Sequence, residues 1–109
     1  MKHGQAEFLY LTTTGRRSGL PREIEIWFTE RDGRYYVIAE HLDETRWVQN
    51  IRADARVRMR VGTVRLDARA RVVEAGAEPD LAQAIQQLSE EKYGWGDGLV
   101  VEIASAPSP

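Results

Sequence analysis

Residues 55–61 alternate without a break. Val57, Met59 and Val61 fall on one parity, and Arg56, Arg58 and Arg60 on the other. Successive side chains of a strand point to opposite faces, so this segment has one buried face and one solvated face. Strands of that kind belong to antiparallel sheets, because a parallel sheet is covered on both sides and its strands read as continuous apolar runs. Gly62-Thr63 turns the chain straight into a second strand-like stretch, residues 64–74. Three more such stretches precede them, at 7–13, 23–29 and 34–40, with Ile24, Ile26 and Phe28 sharing one face of the second. Arg31-Asp32-Gly33-Arg34 supplies a hairpin turn whose Asp-Gly pair accepts positive φ. Residues 99–103 form a last apolar strand, and the Ala/Ser/Pro tail over 104–109 is expected to fray.

Two segments break the period of two. In residues 46–53, Trp47, Val48 and Ile51 share a helical face, with Thr45 or Asp43 available as the cap. Pro79 starts a second helix running to about residue 92, with Leu81, Ala84, Ile85 and Leu88 as its expected buried stripe. The order β-β-β-α-β-β-α-β, joined mostly by hairpins, predicts a mainly β (α+β) fold: an antiparallel barrel with two helices that plug or flank it. A chain of 109 residues suits one domain, residues 1–109.

Charge and composition narrow the function. Charged residues make up 29 % and nearly cancel to a net charge of -2, so no overall field favours a nucleic acid. The alternation of Arg56, Arg58 and Arg60 makes that row a solvated strand face first. Arg69 and Arg71 extend it, and it could pair with acids across a dimer interface. There are no cysteines, which excludes thiol chemistry, and the two histidines are too few for a histidine-rich metal site; no metal is expected. No apolar run approaches the ~20 residues of a transmembrane segment. The first residues lack the apolar core of a signal peptide, so the expected location is cytoplasmic.

The chemistry concentrates in residues 11–22, Leu-Thr-Thr-Thr-Gly-Arg-Arg-Ser-Gly-Leu-Pro-Arg. Two glycines allow a sharp turn with exposed backbone N–H groups, while Arg16, Arg17, Arg22 and several hydroxyls converge on it. That donor set suits an anion such as a phosphate. It is neither a Walker loop nor a dinucleotide fingerprint, since a strand follows it rather than a helix. A polar, solvated hairpin turn is the plainer reading.

This run resembles the first motif of the deazaflavin-dependent nitroreductase and quinone reductase family. The resemblance continues through Trp47, Asn50, Ile51 and Arg52 into Ala55, Val57 and Val61, and more loosely through residues 93–103. It implies a split β-barrel related to the barrels that bind flavin mononucleotide (FMN). It also implies coenzyme F-420, an 8-hydroxy-5-deazaflavin with a phosphate and an oligoglutamate tail, as cofactor. Family members pass hydride from the reduced cofactor to quinones, nitro compounds or other small electrophiles. By resemblance, Thr14, Arg16, Arg17, Ser18, Gly19 and Arg22 would meet the phosphate or tail. Ala39 and Glu40 would line the ring, Asn50 would hold the cofactor from the short helix, and Trp47 and Trp95 would border it. Tyr93 or His41 would donate a proton.

Each assignment has a structural counterpart. Trp47 suits a core anchor, Asn50 a backbone bridge, Tyr93 and Trp95 packing under the last strand, and His41 a surface site. The chain departs from the family after the third strand. Small residues and a proline are usual there, and this sequence reads Ala39-Glu40-His41-Leu42-Asp43-Glu44-Thr45-Arg46. The extra N-terminal helix of several relatives is also expected to be missing. The alternative function is a non-catalytic binder or carrier of the deazaflavin or of FMN. A homodimer, burying a sheet face, is the expected assembly.

Overall fold

A computed structural model describes residues 7–40 and 45–105. Seven strands and two helices follow in the order β1 (Phe8–Thr14), β2 (Pro21–Trp27), β3 (Thr29–Arg31), β4 (Arg34–Ala39), α1 (Arg46–Ala53), β5 (Arg56–Val61), β6 (Val64–Val73), α2 (Pro79–Tyr93) and β7 (Leu99–Ser105). The strands make one antiparallel sheet in the order β2-β1-β5-β6-β7-β4-β3. It is a curled split barrel with two helices, as the alternation requires. The last strand pairs with β4 on one side and β6 on the other, so it lies inside the sheet rather than at its edge. It also runs through Ser105, two residues into the stretch expected to fray.

The curvature makes an inside and an outside. The inner parity, Leu9, Leu11, Val57, Met59, Val61, Val37, Val101 and Ile103, forms one buried cluster, joined by Val48 and Ile51 of α1. On the outer face, Ala82 and Ile85 of α2 pack on Tyr36, Ile38, Val73 and Val100. The buried stripe of α2 is therefore Ala82, Ile85 and Ser89, rotated from the expected one. Leu81, Ala84 and Leu88 are only half-buried on its flanks, because the sheet meets the helix one residue further round.

The expected second strand is two strands. Phe28 is buried with Ile24 and Ile26 as its parity requires, but the chain leaves β1 there and continues in β3 against β4. It thus passes from one end of the strand order to the other. The backbone of Phe28 finds its partners on α2. Its N–H donates to the Tyr93 hydroxyl at 3.2 Å, and its carbonyl accepts from Lys92 Nζ at 2.9 Å. The next turn is as expected, with φ of 53° at Asp32 and 76° at Gly33. Thr45 occupies the N-cap of α1, but its side chain makes no capping bond; Asp43 lies outside the described residues.

Three of the outer arginines, Arg56, Arg58 and Arg71, find acids in their own chain. Arg56 forks onto Asp54 at 3.0 and 2.8 Å, which holds that carboxyl at about 2. Arg58 lies 3.5 Å from Asp67, and Arg60 sits 4.0 Å over the ring of Tyr10. Arg71 bridges Glu78 and the buried Glu102, whose other oxygen accepts from the Tyr36 hydroxyl at 2.9 Å. Burial pushes the Glu102 carboxyl up, but Arg71 and Tyr36 outweigh it and hold the group below the usual carboxylate range. No described helix is long and apolar enough to cross a membrane.

Candidate active site

The loop between β1 and β2 is closed by its own backbone. The Gly15 N–H donates to the Leu20 carbonyl at 2.8 Å, and the Gly19 N–H donates to the Gly15 carbonyl at 2.8 Å. Ser18 Oγ accepts from the Leu20 N–H at 3.1 Å, which leaves its own proton for another acceptor. Asn50, buried on α1, fastens the loop from below. Its Oδ1 accepts from the Arg16 N–H at 3.1 Å, and its Nδ2 donates to Thr13 Oγ1 at 3.1 Å. Sequence reading left Asn50 between cofactor contact and backbone bridge. The structure shows the bridge, and it joins the helix, the strand and the loop.

Above this floor is a groove of about 790 Å3. Arg16, Arg17, Ser18, Arg22 and Asn50 line it, together with Arg46, Trp47, Thr13 and one acid, Glu23. No described carboxylate forms an ion pair with Arg16, Arg17, Arg22 or Arg46, whereas Arg52, Arg56, Arg58 and Arg71 are all paired. Four arginines lining one groove, with no described carboxylate ion-paired to them, are a donor set suited to a multiply charged anion.

Trp47 separates this groove from a second cavity, of about 520 Å3, and lines both. All three tryptophans of the chain, Trp27, Trp47 and Trp95, line the second cavity with Phe8, Ile26, Ile38, Ala39, Thr45, Glu25 and Glu40. Each wall has a local cause. Trp27 ends β2 on the outward parity of Glu23 and Glu25 and remains 41 % exposed. Its ring stacks on Tyr93 at 4.5 Å and 3°. Trp95 is held where Ser89 Oγ donates to its carbonyl at 2.6 Å. The chain there passes so close to α2 that a Cβ on Gly96 would lie 2.1 Å from the Gln86 carbonyl oxygen, so only glycine fits. Among the described residues the hydroxyl of Thr45 is buried without a hydrogen-bond partner, on the wall of this cavity. An aromatic cavity opening beside a basic groove suits a polycyclic ring bearing an anionic tail.

The structure brings together Arg16, Arg17, Ser18, Arg22, Ala39, Glu40, Trp47, Asn50 and Trp95 of the expected residues. Thr14 and Gly19 shape the loop without lining the groove; Thr14 pairs with Pro21 at the end of β1. Tyr93 is not at the cavity. Its hydroxyl is held by the backbone, 2.6 Å from the Glu7 carbonyl and 3.0 Å from that of Phe28, and its ring stands behind Trp27. His41 lies outside the described residues. Sequence reading passed over Trp27 and Arg46. Trp27 carried a signal, a large aromatic on the polar parity of an edge strand.

The fold recurs among solved structures. An F420-H2-dependent reductase, FDR-A, superposes with a TM-score of 0.71 at 24 % identity, over 89 % of this chain and 92 % of that one. A putative pyridoxamine 5′-phosphate oxidase from Listeria innocua gives 0.75 at 14 % identity, over 96 % and 88 %. A protein described as a domain-swapped dimer gives 0.68 at 25 % identity, over 89 % and 78 %. None of the curated proteins matches the chain. The class is thus a split-barrel protein of the FMN-binding-like type. Residues 2–97 match the family model of the F420H2-dependent quinone reductases, and the chain belongs to that family, an F420H2-dependent reductase.

Proposed function

We propose that this protein transfers hydride from reduced coenzyme F-420 to a small electrophilic acceptor, a quinone or a nitro compound. The observation that carries the reading is the four-arginine groove running past Trp47 into the three-tryptophan cavity. Arg16, Arg17, Arg22 and Arg46 would hold the phosphate and the acidic tail, with Ser18 donating its free proton. Thr45, Ala39 and Trp95 would border the ring. When bound, the reduced deazaflavin supplies a hydride. The protein contributes orientation and exclusion of water rather than a nucleophile. Asn50 acts from below, fixing the loop before the ligand arrives. With the Tyr93 hydroxyl committed to backbone, the proton that completes the reduction comes from solvent through the open cavity. FMN shares the phosphate but not the oligoglutamate, so its hold on the groove would be weaker. Pairing of two copies is part of the same reading, supported by the domain-swapped dimer among the similar structures.

The test is a titration with F-420 of long and short tail and with FMN, on the wild type and on Arg16→Ala/Arg17→Ala. Losing two charge-assisted contacts of about 1.5–3 kcal/mol each should cost about a hundred-fold or more in affinity, and most for the long tail. Unchanged affinity would remove the arginine cradle. Tight F-420 binding without turnover of any acceptor would favour the carrier. Sedimentation at micromolar concentration settles whether the chain pairs.

A further inference from the structure

The charges around the site are segregated. Arg16, Arg17, Arg22 and Arg46 line the groove on one side of Trp47, with Glu23 as its one described acid. Among the described residues the charged ones on the wall of the aromatic cavity are Glu25 and Glu40, both exposed, with no lysine or arginine beside them. Glu25 is fixed in place, because its Oε2 accepts the Tyr10 hydroxyl at 2.7 Å. The same cavity is lined by the three tryptophans, whose π faces also attract positive charge.

Resting on the reductase reading above, we propose that this cavity selects its acceptor by charge: it takes flat electrophiles that are neutral or cationic and rejects anionic ones. The donor's negative charge is dealt with in the groove by the arginines, so the acceptor meets only the carboxylates. In the reaction the acceptor quinone takes two electrons and one proton as hydride from the reduced deazaflavin, which is oxidised. A second proton from solvent completes the hydroquinone. An anionic acceptor approaching Glu25 and Glu40 is repelled at a partly dry surface, where unit charges 4 Å apart interact by roughly 1–4 kcal/mol. Salt weakens the discrimination, because both carboxylates are exposed.

The test uses three benzoquinones or naphthoquinones of matched redox potential bearing a trimethylammonium group, no charge, or a sulfonate. Turnover with reduced F-420 is read as kcat/KM. Binding to the protein alone is read independently from quenching of the tryptophans. At low salt the cationic quinone should exceed the sulfonate roughly ten-fold or more in both readouts. High salt should shrink the ratio to roughly two- or three-fold. Glu25→Gln/Glu40→Gln should narrow it similarly at low salt; glutamine keeps an acceptor for the Tyr10 hydroxyl, so the fold is retained. Equal rates and equal quenching for the three quinones overturn the proposal, as does a ratio untouched by the double substitution. If the charge order appears in quenching but no quinone is reduced, the cavity selects as proposed and it is the reductase reading that fails.

Discussion

Replacing Tyr93 by phenylalanine removes one oxygen and leaves the ring that stacks on Trp27. In the folded protein that oxygen donates to the Glu7 carbonyl at 2.6 Å and accepts the N–H of Phe28 at 3.2 Å. Phe28 is 1 % exposed, so its N–H has no ready substitute. A lost hydrogen bond of this kind costs about 1 kcal/mol, and a stranded buried donor about 1–3 kcal/mol more. Tyr93 is itself half-buried, and water will recover part of the loss, so about 2 kcal/mol is expected. For a chain of this size that lowers Tm by roughly 8 °C or more. Urea unfolding gives the stability change, and turnover well below the new Tm separates it from chemistry. The kcat of Tyr93→Phe and its pH profile should stay within about two-fold of the wild type, because the hydroxyl is behind the cavity wall. Two results would refute this reasoning. One is a stability loss below about 0.5 kcal/mol. The other is a folded variant whose kcat collapses and whose pH profile loses a limb, which would make Tyr93 the proton donor.

Asn50→Ala should cost about 2–3 kcal/mol of stability, since it strands Thr13 and frees the Arg16 N–H. It should also weaken F-420 binding by loosening the loop; a Kd within two-fold of wild type would disprove that anchoring. Acid should destabilise the protein through Glu102. Its carboxyl is held below the ordinary value of 4.5, so the native state binds fewer protons than the unfolded chain. That contribution is complete above about pH 4.5 and is lost as pH falls through the lowered value. Urea midpoints between pH 6 and 3 should therefore fall, and Glu102→Gln should flatten the slope.

Much of this was visible beforehand, and the failures share a cause. Helix α1 keeps its expected bounds because the tryptophan, valine and isoleucine phasing changes abruptly at both ends. The arginine loop is where its glycines and hydroxyls put it. The division at Phe28 was hidden because the residue obeys the alternation on both sides of the break. What interrupts the ladder is Tyr93, 65 positions away. The role of Tyr93 was hidden for the same reason, since a tyrosine among glycines reads equally as a pocket residue or a clamp. The outer arginines were ambiguous because acids such as Asp67 and Glu102 are brought to them by strand register, although Asp54, two residues before Arg56, was legible locally. Trp27 was passed over although its parity marked it.

The position of β7 governs the order in which the molecule can be built. It is the last strand in sequence and yet sits between β6 and β4. Before it emerges from the ribosome, β2-β1-β5-β6 and β4-β3 are separate pieces, each with an open edge that can pair with another chain. Assembly is therefore late and depends on distant contacts, which slows folding and exposes the nascent chain to mispairing. Trp95 arrives only four residues ahead of Leu99, so the aromatic cavity closes in the same event as the sheet.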